Sequence, residues 1–341
     1  MSKWKYFSQF FARKYVLSIG LLVLLAIFIL IGLSWMSFLL SILISLYIIF
    51  FTLIRLISNN YLQRILFGIT SFFSVLVIAI FLRLFVFEIY IVPTTSMEPT
   101  LHPGDVILVN KLYYGPMLPR KYSDIPWFDF IFYSRIKNLK NTWKYRRLKG
   151  MSNVKSGDIF VMKKSNGSHI VKRCVGLPGE EVMVKNNIFS SSKNRDNKPP
   201  ENCNDYKVVD SPKKNDKSTY SGQTFYFKKV NSSWNIGNFG PILIPSSGME
   251  MALSSCTNLV YKDIISRESL NPDTLYESKG KEEKYCFNRD YFFVLGDYQN
   301  VSLDSRFLGF ISEEQLVGKV EVVIFNKIDL EKKLKSFFYV L

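Results

Sequence analysis

Histidine, the usual proton acceptor for a catalytic serine, is scarce in this chain of 341 residues. It occurs only at His102 and His169, and either could equally be an ordinary surface or partly buried residue. The metalloprotease motif HExxH and the phosphate-binding motif GxxxxGK[ST] are absent from the sequence. Any nucleophilic chemistry must therefore use another base, and lysine is the documented substitute.

One lysine, Lys172, lies inside an apolar, strand-like run at residues 170–175. Lysine accepts a proton only when neutral, so burial must lower its pKa by several units from about 10.4. If alternate residues of a strand share a face, Lys172 points the same way as Ile170 and Cys174. On periodicity alone, however, a solvated lysine on an edge strand is the favoured interpretation.

A candidate nucleophile, Ser96, follows an apolar run and is bracketed by Pro93 and Pro99. Proline restricts the residue before it to extended conformations, so this segment is constrained. Taken alone, a serine in a proline-rich segment is typical of a turn rather than of an active site.

Five stretches of the sequence, taken together and in this order, resemble the bacterial type I signal peptidases. They are VPTTSMEPTL at 92–101, GDVILVNK at 104–111, SGDIFV at 156–161, VKRCVGLPGE at 171–180, and LGD at 295–297 with SLDSRFLG at 302–309. The last box departs from the family's usual Gly-Asp-Asn, because Tyr298 follows Asp297. Many relatives have one or two membrane spans rather than the three expected here.

The resemblance implies a serine endopeptidase with a Ser/Lys dyad, no cofactor and no metal. Ser96 would attack the scissile carbonyl and Lys172 would be the general base. Ser302 would hydrogen-bond the lysine amine, while the Ser96 N–H and the Thr94 hydroxyl would form the oxyanion hole. Asp304 and Arg306 would brace the site by an ion pair. The substrate pocket would be lined by Tyr90, Val92, Leu101 and Val171, and the partners would be secretory precursor proteins with signal peptides.

The N-terminal region predicts a membrane anchor, residues 1–88. No charged residue occurs from 16 to 54 or from 65 to 82, and such runs are typical of transmembrane helices. The first run is too long for one crossing, so we expect three spans at about 16–33, 36–54 and 65–85. A cleaved signal peptide is the competing interpretation, but no small-x-small site precedes a polar region. Arg55 and Arg64 flank the second loop, which favours a cytoplasmic N-terminus and a catalytic domain outside the cytoplasmic membrane.

Beyond the anchor, short β-like runs at 105–110, 158–162, 170–175, 181–185, 291–295 and 317–325 predict a mainly antiparallel β domain. No long amphipathic helix is expected there. We expect the catalytic domain at 89–184 and 285–330, with 185–284 as an inserted, non-catalytic subdomain and 331–341 as a tail. The fold class is thus a membrane-anchored, mainly β protein with an extracytoplasmic catalytic domain and an inserted second subdomain.

The net charge of +16 does not indicate nucleic acid, because the basic residues are spread through polar loops. The densest basic stretch, residues 135–149, contains no acidic residue; it is either a solvated loop or a contact for the head groups of membrane lipids. The four cysteines have no metal-ligand spacing. Cys256 with Cys286 is a weakly preferred disulfide, four free thiols are the alternative, and Cys174 is expected to be a buried apolar residue.

Two other functions are compatible with parts of the sequence. Self-cleaving transcriptional repressors resemble the same Ser-Lys core, but they carry a DNA-binding motif where this chain has its apolar runs. A catalytically inactive, membrane-anchored binding or scaffold protein is the other alternative. Cleavage of a secretory precursor would separate that alternative from a peptidase.

Overall fold

The computed structural model describes residues 29, 34–120, 124–125, 143–164, 166–193, 219–220, 223–231, 233–252, 255–269, 284–328 and 337–341. These residues fall into two compact units. One comprises Met1–Glu88 and Lys111–Asn153, and the other Ile89–Asn110 and Val154–Leu341. The expected boundaries at 184 and 285 remain a prediction.

The first unit contains two long apolar helices, α1 (Ser34–Arg55) and α2 (Asn60–Phe81), of 22 residues each. A π-helical turn, Leu82–Val86, extends α2. The side chain of Asn59 caps α2 by accepting hydrogen bonds from the amides of Tyr61 and Leu62. At 1.5 Å per residue each helix is about 33 Å long, close to the thickness of a hydrocarbon core.

Both helices are long and apolar enough to cross a membrane. They overlap the spans expected at about 36–54 and 65–85, although α2 begins five residues before the expected start. Large side chains such as Phe38 and Phe72 are exposed along them. The first expected span, 16–33, lies outside the described residues apart from residue 29.

The second unit is built on an eight-stranded sheet. Its order is β1-β2-β14-β3-β4-β12-β13, with β15 paired to β14. The strands are β1 (Phe87–Ile91), β2 (Asp105–Asn110), β3 (Ile159–Lys163), β4 (His169–Gly176), β12 (Tyr291–Leu295), β13 (Ile311–Ser312), β14 (Leu316–Asn326) and β15 (Phe337–Val340). The pairs β14–β2, β14–β3, β3–β4 and β12–β4 are all antiparallel. The six strand-like runs of the sequence all form strands, with ends that differ by one residue at most.

The described residues between 180 and 286 add smaller sheets, a 3₁₀ helix (Tyr226–Lys229) and an α-helix. A three-stranded sheet contains β5 (Glu180–Lys185), β6 (Ile188–Lys193) and β9 (Phe239–Leu243). Two further antiparallel pairs join β7 (Thr219–Tyr220) to β8 (Gln223–Thr224) and β10 (Glu250–Ala252) to β11 (Lys284–Cys286). The helix, α3 (Ser255–Ser269), contradicts the expectation that this part lacks a long amphipathic helix. It buries Val260, Tyr261, Ile264 and Ile265 at helical spacing.

Two hydrophobic clusters hold the second unit together. One is shared by β5, β9, α3 and β12. The other joins the segment after β1 to β2, β3 and β14 through Val92, Met97, Leu101, Ile107 and other side chains. The second cluster therefore fixes the segment that carries Ser96.

The cysteines differ partly from expectation. Cys174 is a free, fully buried thiol on β4, as expected. Cys286 is free and exposed, so the Cys256–Cys286 disulfide is not formed and that preference was wrong. The alternation of β11 buries Tyr285 and turns Cys286 outward. Cys203 and the side chain of Cys256 lie outside the described part.

Candidate active site

Ser96 lies in a single 3₁₀ turn, Thr95–Met97, which is separated from the end of β1 by three residues. Its neighbours Met97 and Leu101 are almost completely buried, at 1% and 0% exposure. The amide of Glu98 donates to the Thr95 carbonyl at 3.0 Å, which closes the turn, and the amide of Leu101 donates to the Met97 carbonyl at 2.9 Å just after it. Val92 before the turn is also buried, so apolar side chains on both sides anchor the turn and hold Ser96, itself buried, in place.

Lys172 lies on β4, an interior strand between β3 and β12. It is paired with Phe160 in register and is only 3% exposed. Lys172, Cys174 and Gly176 are buried while the residues between them are partly exposed, as alternation requires. The structure thus excludes the solvated edge-strand interpretation that periodicity alone favoured.

The sheet brings Lys172 and Ser96 together although 76 residues separate them. Nζ of Lys172 and Oγ of Ser96 are 2.6 Å apart, in a buried hydrogen bond. This distance allows direct proton transfer between serine and lysine without a bridging water.

Burial lowers the pKa of Lys172 from 10.5 to about 8, because an ammonium loses its hydration in this site. The carboxylates of Asp304 and Asp297 oppose this effect, and the positive charges of Arg306 and Lys164 add to it. A substantial neutral fraction, which is the form able to accept a proton, therefore exists near neutral pH.

Thr94 is exposed and lies next to the serine hydroxyl, with Oγ1 3.3 Å from Oγ of Ser96. Either hydroxyl can donate in this contact. A threonine hydroxyl here can donate to an oxygen that develops negative charge beside Ser96.

The hydrogen bonding of Ser302 differs from the expectation. Its side chain is fully buried, and within the described residues its Oγ has no hydrogen-bond partner, so the expected bond to the lysine amine is not formed. A Cβ on Gly296 would lie 2.1 Å from Ser302 Oγ and 2.5 Å from the Ser96 carbonyl oxygen. Gly296 thus permits the close approach of both serines to one turn. The sequence pointed to this glycine only as part of the LGD box at 295–297.

Asp304 and Arg306 form a fully enclosed ion pair. Nε and Nη2 of Arg306 donate to the two carboxylate oxygens of Asp304, each at 2.9 Å. Asp304 also accepts from the Gly296 amide at 3.1 Å, and Arg306 donates to the Gln299 carbonyl at 2.7 Å. The pair therefore ties the turn at Gly296 to the short helix α4 (Ser305–Leu308).

A second ion pair was missed by sequence reasoning. Arg173 donates to both carboxylate oxygens of Asp297, at 2.8 and 2.7 Å. Thr100 donates to Asp297 at 2.6 Å and accepts from Arg173 at 3.1 Å. The three residues link the segments that carry Ser96, Lys172 and Ser302.

The four residues expected to line a pocket share one hydrophobic cluster. Val92 and Leu101 are buried in it, at 2% and 0% exposure, while Tyr90 and Val171 are only partly buried. The tyrosine ring lies 5.0 Å from the ring of His169. Tyr90 and Val171 therefore provide the accessible surface of the expected pocket, and Val92 and Leu101 are buried in the cluster behind it.

In the part of the chain that the structure describes, no three His, Cys, Asp or Glu side chains are grouped as metal ligands would be. The site thus consists of a serine, a lysine, hydroxyl groups and two ion pairs. These groups suit acyl transfer to a serine.

Residues 65–325 match the model of the family described as "Signal peptidase, peptidase S26". The chain belongs to this family. The signal peptidase I of Buchnera aphidicola subsp. Baizongia pistaciae is 29% identical over 272 residues, which cover 76% of this chain and 77% of that protein. The signal peptidase I of Aquifex aeolicus is 26% identical over 274 residues, covering 76% and 83%.

Among solved structures, a signal peptidase I from Enterococcus faecalis is similar with a TM-score of 0.23 and 18% identity. The match covers 49% of this chain and 97% of that one. The family assignment rests on the sequence match and not on this similarity. As a member of the S26 family the chain is a serine endopeptidase with a signal peptidase function.

Proposed function

We propose that this chain is a membrane-anchored signal peptidase I that removes signal peptides from secretory precursors through a Ser96–Lys172 dyad. The observation that supports the dyad is the 2.6 Å contact between Lys172 Nζ and Ser96 Oγ in a buried site. Burial also brings the lysine pKa to about 8, so the base is available near neutral pH.

The first half of the reaction forms an acyl-enzyme. Lys172 takes the proton of Ser96 as Oγ bonds to the scissile carbonyl carbon, whose oxygen becomes negatively charged. The Ser96 N–H and the Thr94 hydroxyl donate to that oxygen. Collapse of the tetrahedral intermediate breaks the C–N bond, and the departing amine of the mature protein takes the proton from Lys172.

In the second half, neutral Lys172 removes a proton from water, which attacks the acyl carbonyl. The C–O bond to Ser96 breaks, the serine recovers its proton, and the signal peptide leaves with a new carboxylate. Asp304 favours the ammonium that forms transiently, because its negative charge raises the pKa of Lys172 against the effect of burial. Burial and Asp304 together bring the pKa of Lys172 to a value at which the lysine can both accept and return a proton.

The supporting groups hold this geometry. The Asp304–Arg306 pair fixes the turn at Gly296. The Arg173–Asp297 pair fixes β4, the strand that carries Lys172. Ser302 is assigned to orienting the lysine amine, which requires its hydroxyl, unbonded among the described residues, to turn toward Nζ during the reaction.

The anchor and its orientation are part of the proposal. The lengths and composition of α1 and of α2 with its extension support two crossings. Arg55 ends α1 and Arg64 lies in the first turns of α2, so the loop between them is assigned to the cytoplasm. With a further span at 16–33, the N-terminus is inside and the residues after Glu88 are outside. The partners are then secretory precursors and membrane lipids, and not nucleic acid.

Two experiments test the proposal. The purified full-length chain in detergent should cut a secretory precursor once, and mass spectrometry should place the new N-terminus at the signal peptide junction. Failure to cut any of several precursors would favour the inactive scaffold protein. Protease added to intact spheroplasts should digest the region after Glu88, and protection of that region would refute the orientation.

A further inference from the structure

The first unit brings a basic segment to the end of its helix hairpin. Trp35, the second residue of α1, donates from Nε1 to the backbone carbonyl of Lys149 at 3.0 Å. Its ring lies 5.9 Å from that of Phe85, near the end of the π-helical extension of α2. Because α1 begins where α2 and its extension end, both contacts mark the same end of the hairpin. Residues next to Lys149 therefore lie beside the ends of two membrane-length helices.

The segment 143–149 has a fixed backbone there. The amide of Leu118 donates to the Arg146 carbonyl at 3.0 Å, and that of Leu148 to the Pro116 carbonyl at 3.0 Å. The Arg147 side chain turns inward, donating to the Gly115 carbonyl at 2.6 Å. The positions of the outward-facing side chains are therefore set by this backbone.

The outward-facing side chains are cationic. Lys144, Arg146 and Lys149 are exposed, and Trp143 beside them is 43% exposed. Residues 135–149 contain no acidic residue. Tryptophan with lysine and arginine at the end of a membrane helix is the composition typical of the lipid head group layer.

We propose that Lys144, Arg146 and Lys149 form a binding surface for anionic phospholipid head groups, here called the basic surface. This inference rests on the membrane anchoring in the proposed function, but not on its catalytic chemistry. An anionic membrane surface attracts basic residues held near it, and the attraction adds over the residues. Three exposed charges on one ordered segment beside the ends of the helices should therefore select anionic over zwitterionic lipid.

Lipid binding to the delipidated full-length chain in detergent tests this directly. Phosphatidylglycerol and phosphatidylcholine are titrated separately, and bound lipid is counted by native mass spectrometry. The variant Lys144→Gln/Arg146→Gln/Lys149→Gln is compared with a control of equal charge change, Lys185→Gln/Lys262→Gln/Lys284→Gln. The control positions are exposed and belong to the other compact unit.

The wild type and the control should bind phosphatidylglycerol more tightly than phosphatidylcholine. In the basic-surface variant the ratio of the two affinities should be about a hundredfold smaller at low ionic strength. In the wild type the preference should also fall as salt is raised to 1 M, a result that needs no variant to fold. Equal binding of both lipids by the wild type, or equal loss in the control, would overturn the proposal.

Precursor cleavage by the same samples separates this inference from the proposed function. The basic-surface variant should still cut a precursor in detergent, because its changes lie outside the dyad. If no sample cuts a precursor, the proposed function fails while the lipid result stands. If all cut but none prefers phosphatidylglycerol, only the basic surface is refuted.

Discussion

The pH dependence of cleavage follows from the environment of Lys172. Only the neutral amine accepts the serine proton, so kcat/KM should follow the neutral fraction of Lys172 in the free enzyme. With a pKa of about 8, about one-tenth of the lysine is neutral at pH 7 and about one-hundredth at pH 6. A solvated lysine with a pKa of 10.5 would be neutral to only about 0.03% at pH 7. Burial thus raises the amount of active base about 300-fold at that pH.

The same pKa predicts a stability cost with a definite sign. Because the pKa of Lys172 is lower in the folded chain, the unfolded chain binds more protons between pH 8 and 10.5. The cost is fully present below about pH 8 and is lost as the pH rises to 10.5. The difference between the two pKa values corresponds to a destabilisation of about 3 kcal/mol, which Lys172→Met removes. The same variant loses the hydrogen bond to Ser96, which costs about 1 kcal/mol. That variant should therefore be more stable than wild type by about 2 kcal/mol at pH 7.

The assay is kcat/KM for a precursor peptide from pH 5 to 11, with tryptophan fluorescence to verify folding at each pH. Lys155→Met, which removes an exposed lysine, should leave the profile unchanged. A midpoint near 10.5, or a rate independent of pH, would refute the assignment of Lys172 as a buried, tuned base. A Lys172→Met variant less stable than wild type at pH 7 would contradict the desolvation argument.

Three further predictions concern the surroundings of the dyad. Ser302→Ala should lower kcat/KM strongly at every pH while leaving the free energy of unfolding unchanged or higher by about 1 kcal/mol, since it removes an unpaired buried hydroxyl; unchanged kinetics would remove Ser302 from the mechanism. Gly296→Ala should reduce cleavage more than tenfold, because the new Cβ would collide with Ser302 Oγ and the Ser96 carbonyl; full activity in that variant would show that the turn is not held as described. A precursor with Phe in place of Ala at the −1 position should be cut very poorly, whereas efficient cleavage would show that Tyr90 and Val171 do not limit the pocket.

Local patterns were sufficient to predict five of the eight strands of the main sheet, together with β5. The run at 291–295 is β12 itself, and 105–110 is β2, because apolar residues flanked by turn residues specify strands at short range. The helix α3 was missed because its apolar residues lie between polar and charged ones. The burial of Val260 and Ile264 comes from the shared cluster with β12, which sequence spacing does not reveal.

The candidate active site shows a second limit of prediction from the sequence. Periodicity correctly placed Lys172 on one face of a strand but favoured the wrong environment, since whether a strand is interior depends on partners far away in sequence. In the fold β4 lies between β3 and β12, and Lys172 is buried there. The Arg173–Asp297 pair was missed for the same reason: 124 residues separate its members, and only the fold brings them together.

The most direct test of the central claim is the initial rate of precursor cleavage by purified, folded variants of the two dyad residues. Ser96→Ala and Lys172→Met should each abolish detectable cleavage, since one removes the nucleophile and the other its base. The matched controls Thr95→Ala and Lys155→Met alter an exposed hydroxyl residue and an exposed lysine, and they should cut at the wild-type rate. Lys172→Arg should also fail, because a guanidinium stays protonated at any working pH. Substantial turnover by either dyad variant would contradict the assignment of Ser96 and Lys172 as nucleophile and base.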